Sequence, residues 1–168
     1  MTNRATHFST RLNQTLASTL DLKTQVKQAH WNVKGKDFYQ LHLLFDQMST
    51  ELEEFINLVA ERVNSLGGYV MGTTRCAAKL SESPENEFDA VDSMDHVTAL
   101  ADRFAIYAKS TRSGIEHSDK LGDADTADIY TQISRAINKR LWFLEAHLQP
   151  KAIRETANSK NGVKVGSK

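Results

Sequence analysis

The chain has 168 residues, enough to bury a full core as one domain, and its 21 basic and 21 acidic side chains balance, so net charge argues neither for nor against a nucleic-acid partner. A single cysteine, Cys76, excludes an intrachain disulfide and fits a reducing cytosol. No apolar run approaches the ~20 residues of a membrane span, and no apolar signal region follows Met1-Thr2-Asn3-Arg4, so a cytoplasmic protein without a membrane partner is expected.

The hydrophobic spacing predicts an all-α chain: a four-helix bundle over residues 1–150 and a basic tail over 151–168. The first helix, over 6–33, carries Phe8, Leu12, Leu16, Leu20, Val26, Ala29 and Val33 at intervals of three or four. Gly35 suits its end. Asp37 can cap the second helix, with Gln40 three residues on completing a capping box. Leu41, Leu44, Phe45, Met48, Leu52, Phe55, Ile56, Val59 and Val63 form its core face, and Gly67-Gly68 stop it. The short connection makes these two helices antiparallel neighbours.

Residues 67–94 form a long connection, of the kind that crosses over or carries structure of its own. A short helix is expected within it over 90–94. The third long helix starts near Asp95 and uses Val97, Leu100, Phe104, Ala108, Thr111 and Ile115. After a turn at Lys120-Leu121-Gly122, the fourth uses Ala127, Tyr130, Ile133, Ile137, Leu141, Leu144 and Leu148, and Pro150 ends it. In the tail, Lys151, Arg154, Lys160, Lys164 and Lys168 face only Glu155, and disorder is expected beyond about residue 157.

Candidate chemistry concentrates between His30 and Glu61. His42 and Asp46 are four apart and share a helix face, as do Asn57 and Glu61, and His30 lies just before the second helix. Imidazoles with carboxylates suit iron, zinc or manganese. Residues 46 and 57 lie roughly 16 Å apart along one helix, whereas metal–ligand bonds are about 2 Å. One chain does not easily bring both ends to one ion. Two copies packed antiparallel about a two-fold axis do, and they make two equivalent sites.

The string His30-Trp31-Asn32-Val33-x-Gly35, with His42, Asp46, Glu61-Arg62 and Leu66-Gly67-Gly68, resembles the Dps family, the ferritin-like DNA-protection proteins of starved bacteria. The likeness continues through Asp125-Thr126-Ala127-Asp128, Arg135, Lys139 and Leu141-Trp142-Phe143-Leu144-Glu145, and spans roughly residues 8–148. The resemblance implies a ferritin-like bundle whose middle connection is the crossover, assembled as a hollow dodecamer. It implies oxidation of Fe²⁺, preferentially by hydrogen peroxide, and storage of the ferric product. The implied centre holds two irons between subunits, with Zn or Mn able to enter it in vitro. Its ligands are His30, His42 and Asp46 from one subunit and Asn57 and Glu61 from the other, with His30, His42, Asp46 and Glu61 catalytic. Asn57 departs from the family, which usually has an aspartate there; a neutral amide holds iron less strongly, and Glu53 or Glu54 could compensate.

Each residue also has a plainer reading. The histidines could be hydrogen-bonded at helix ends, and Glu61 could pair with Arg62 at the surface; the combined spacing favours ligands. Trp31 reads best as packing at a subunit contact, with absorption of oxidising equivalents near iron as the lesser reading. Asp123, Asp125 and Asp128 surround the start of the fourth helix, where they can cap it and meet its dipole; the family places acidic residues here along pores for Fe²⁺. The basic tails, twelve per shell, would give non-specific DNA binding and a nucleoid-associated protein. No Gly-rich phosphate loop occurs, and Cys76 has no histidine near it in sequence. The Glu-x-x-His pattern of in-bundle di-iron sites is also absent, since Glu145 is followed by His147 and then Leu148. The alternative function is a DNA-compacting shell whose centre Asn57 weakens.

Overall fold

The structure, a computed structural model, describes residues 3–85, 90 and 92–149, with side chains from residue 9 onward. Helix α1 is Asn3–Asn32, α2 Phe38–Ser65, α3 Thr74–Leu80, α4 Ser93–Lys120 and α5 Ala124–Leu148. The four long helices form the expected bundle: α1 packs on α2 and α4 on α5, and the two hairpins meet mainly through α1 against α4. Among the described residues there is no strand, and no helix is long and apolar enough to cross a membrane.

The core follows the predicted periodicity. Leu12, Leu16, Val26, Ala29 and Val33 of the first hairpin arm are buried against Leu41, Phe45, Met48, Leu52, Phe55, Val59 and Val63 of the second. Val97, Leu100, Phe104, Ala108, Ile133, Ile137 and Leu144 close the other side. Full burial of a Leu or Phe contributes about 1.5–3 kcal/mol, so this stripe supplies the main driving force. Leu20, Leu44, Ile56, Ile115 and Leu141 are only half-buried at its margin, and Leu148 at the end of α5 is exposed. The core also holds two polar pairs. Tyr130 and Thr15 hydroxyls are 2.9 Å apart, and Tyr107 and Thr19 hydroxyls 2.6 Å, which satisfies phenols that would otherwise be costly to bury.

Three local expectations are corrected. The short helix of the crossover is α3, not 90–94. Thr73 starts it, its side chain accepting from the Cys76 amide at 3.3 Å. Residues 93 and 94 instead belong to the first turn of α4, which begins earlier than Asp95 because Asp92 and Asp95 form a reciprocal capping box. Asp37 makes no side-chain cap on α2: its φ of −98° and ψ of 12° lack the extended backbone a cap requires. Gly67 does end α2 as expected. Its φ is 76°, and the Gly67 and Gly68 amides donate to the Asn64 and Val63 carbonyls, both at 2.9 Å, in a left-handed terminator that disfavours other residues.

The crossover is tied down along α1. The Asn13 amide donates to the Tyr69 carbonyl at 2.9 Å and its oxygen accepts from the Met71 amide at 2.8 Å. Ser81 donates to Asp21 at 2.5 Å, and Gln25 donates to the Pro84 carbonyl at 3.1 Å.

Where α4 meets α5, Gly114 gives room to the fully buried Tyr130; a Cβ there would lie 2.5 Å from Tyr130 Cε1. Gly114→Ala is therefore expected to cost about 1–3 kcal/mol by overpacking. A thermal melt should show a clearly lowered midpoint, and an unchanged one would show that the ring yields freely.

Candidate metal centre

His30 lies in the last turn of α1 and His42 in the second turn of α2, so the connection around Gly35 brings them face to face. The rings stack with centroids 3.8 Å apart and planes 20° apart. His30 Nδ1 donates to the His42 carbonyl at 2.9 Å, and His42 Nδ1 donates to the His30 carbonyl at 3.0 Å. A carbonyl oxygen only accepts, so each Nδ1 carries the proton. In the neutral rings both Nε2 atoms then keep their lone pairs. Metal-ligating histidines are commonly fixed by such a bond from the other ring nitrogen. The donor set therefore suits a divalent metal, as the sequence predicted.

Asp46 stands one turn beyond His42, but its Oδ1 accepts from Lys27 Nζ at 2.9 Å. Lys27 lies one turn before His30 on α1. The two helices in fact face each other as a ladder of three rungs: Lys23 with Glu53, Lys27 with Asp46 and His30 with His42. The Lys27 hydrogen bond and charge, with smaller contributions from His30 and His42, hold the Asp46 carboxyl below the usual carboxylate range. Among the described residues, no three His, Cys, Asp or Glu of one chain stand close enough to share an ion. The structure thus unites His30 and His42 and turns Asp46 toward Lys27. Sequence reading missed Lys27; its three-residue spacing from His30 was the available signal.

Asn57 and Glu61 are exposed at the far end of α2. Asn57 lies roughly 16 Å along the axis from Asp46 and within about 20° of the same face. The midpoint between His42 and Glu61 and that between Asp46 and Asn57 coincide, between Glu51 and Leu52. A two-fold axis pairing the two ends would have to pass there. Around the near end, Trp31 and Tyr39 are each 67% exposed, Phe38 44% and Leu43 42%, a cluster of bare apolar surface.

Arg62 does not pair with its neighbour Glu61. Its Nε donates to Thr126 Oγ1 at 2.9 Å and its Nη2 to Asp123 Oδ1 at 2.7 Å, which fastens the Glu61 end of α2 to the start of α5. Asp123 is the N-cap of α5, accepting from the Thr126 amide at 3.1 Å and the Thr126 hydroxyl at 2.6 Å. Of the acidic trio, Asp123 is thus a structural cap. Asp125, its side chain 85% exposed and 3.7 Å from Arg62 Nη1, and the exposed Asp128 share an outer face of α5. Lys151, Arg154, Lys160, Lys164 and Lys168 lie outside the described residues.

Comparison with known proteins agrees with this architecture. The model of the ferritin-like domain family matches residues 9–152. A "DNA protection during starvation protein" from Agrobacterium fabrum is 42% identical over 141 residues, covering 84% of this chain and 87% of the relative. The crystal structure of a Dps protein from Bacillus brevis superposes with a TM-score of 0.84 at 27% identity, covering 89% of this chain and 99% of that one. A Dps protein from Vibrio cholerae O1, described as a member of a broad superfamily of ferritin-like diiron-carboxylate proteins, gives 0.82 at 27% identity, over 87% and 91%.

Burial disfavours the charged form of Asp123, but hydrogen bonds from Thr126 and the charge of Arg62 outweigh it and hold its carboxyl below the ordinary value of 3.8. A depressed folded value stabilises above the unfolded one, and the benefit is lost as pH falls through the folded value. Asp123→Ala should therefore cost about 1–2 kcal/mol at pH 7, the usual magnitude for losing a cap. The difference should shrink in acid, as measured by denaturant unfolding at both pH values.

Proposed function

The chain belongs to the Dps family of ferritin-like proteins, and from that membership we propose that it oxidises Fe²⁺ at centres shared between two subunits, stores the ferric product and protects DNA. The family relation supports iron storage and DNA protection in general. The observation that carries the finer reading is the His30–His42 pair, with both Nε2 atoms free, set on a helix whose remaining donors lie out of one chain's reach.

In this reading two copies pack antiparallel across α2, and the His30, His42 and Asp46 end of one meets the partner's Asn57 and Glu61. The exposed Trp31, Phe38, Tyr39 and Leu43 become the packed surround that keeps bulk water from the ions. His30 and His42 bind Fe²⁺ as neutral donors, while Asp46 and Glu61 supply the negative charge that favours the ferric product. Hydrogen peroxide is the oxidant: it takes one electron from each of two ferrous ions, its O–O bond breaks, and both oxygens leave as hydroxide or water. Iron and peroxide are thereby removed together, before they make hydroxyl radical. The dimers assemble into a hollow dodecamer, with Asp125 and Asp128 on the path of Fe²⁺ inward. Outside the shell, the basic residues at 151–168 contact DNA phosphates without reading sequence.

Asn57 favours a second reading, in which a weakened centre leaves mainly a DNA-compacting shell. Peroxide-driven Fe²⁺ oxidation separates the two. The natural chain should turn over quickly and a His42→Ala/Glu61→Ala variant should fall to the uncatalysed rate. Slow turnover that Asn57→Asp restores would favour the shell.

DNA retardation by the natural protein should weaken steeply with salt, and removal of residues 151–168 should abolish it. Retention of binding by the shortened chain would reject the tail as the contact.

A further inference from the structure

We propose that Lys27 is the resident cation of the centre and that, together with Asn57, it restricts the centre to one tightly held Fe²⁺. This rests on the intersubunit reading above, and it departs from the two irons per centre that the resemblance implies.

The charges on this chain point that way. Of the five ligand positions, only Asp46 and Glu61 carry negative charge, and Asp46 is already neutralised by Lys27 at 2.9 Å. Lys27 Nζ also stands 6.0 Å from the centre of the Trp31 ring, on the side that the proposed dimer covers. Two carboxylates and one ammonium offset a single added Fe²⁺ to within one charge. A second dication would leave three unbalanced positive charges in a partly dehydrated interface, a heavy penalty. Asp46 is also the carboxylate that a second ion would need, and the ammonium occupies its Oδ1.

No spare carboxylate relieves this. Glu53 lies on the Asp46–Asn57 line but is paired with Lys23. Glu54 lies about 10 Å along the axis from Glu61, further apart than two ligands of one ion stand. Lys27 is therefore a positioning residue that acts through Asp46, and Asn57 is the position whose neutrality makes the restriction hold. A second Fe²⁺ binds weakly and only passes through during turnover.

The stoichiometry is measured with Zn²⁺, which is not oxidised, by titration calorimetry on the assembled protein. The natural chain should take one tight ion per subunit, absent from a His42→Ala/Glu61→Ala variant. Lys27→Gln/Asn57→Asp should take two, with the oligomer's mass unchanged, and Lys27→Arg should still take one. Two tight ions in the natural chain, or one in an assembled Lys27→Gln/Asn57→Asp variant, would overturn the proposal. Absence of any tight ion in the natural chain would instead remove the shared centre itself, and with it the function proposed above. Should the double variant not assemble, Lys27→Gln alone decides: release of Asp46 should tighten Zn²⁺ at least tenfold, and unchanged affinity overturns the proposal.

Discussion

Two hydrogen bonds between His30 and His42 fix the end of the α1–α2 hairpin. Each ring bonds the other's backbone carbonyl, so side-chain orientation and helix entry are set together. A histidine free to rotate would offer either nitrogen to an ion. These two offer only Nε2, because Nδ1 is engaged in holding the fold. The ligands are thus preorganised at no separate cost: the contact that closes the hairpin also chooses the tautomer. The remaining rungs, Lys27 with Asp46 and Lys23 with Glu53, continue the same register along the hairpin.

Much of this was legible in the sequence. The three-or-four spacing of apolar residues gave the four long helices, because each must bury one stripe against its neighbours. The distance between Asp46 and Asn57 follows from helix rise alone. The local errors share a cause. Asp37 carries a capping side chain but not a capping backbone, and backbone angles at a tight connection are set by the helices it joins. The placement of α3 was missed because a seven-residue helix has too little periodicity to read; what holds the crossover is its bonding to Asn13, Asp21 and Gln25, all on distant α1. Lys27 escaped notice for a related reason. A lysine on a helix face reads as solvated until the facing helix shows a carboxylate opposite it.

The molecule divides its polar groups by where they are satisfied. Inside the bundle, Tyr107 and Tyr130 are neutralised by Thr19 and Thr15, and no charge is needed. Asp123 and Arg62 lock α2 to α5 at one end with a buried hydrogen-bonded pair. The stripe from His42 to Glu61 is left outside the core and carries the functional groups. A scaffold settled by its own interior can vary that stripe, as the Asn57 substitution illustrates, without endangering the fold.

Because His42 and Glu61 lie at opposite ends of α2, two defective chains can repair each other. A His42→Ala subunit paired with a Glu61→Ala subunit gathers both lesions into one centre and leaves the other whole. A cell carrying one copy of each allele would keep part of its ferroxidase, although neither allele alone makes a working centre. In genetic terms the locus would show intragenic complementation, a signature open to a shared centre and closed to one built within a single chain.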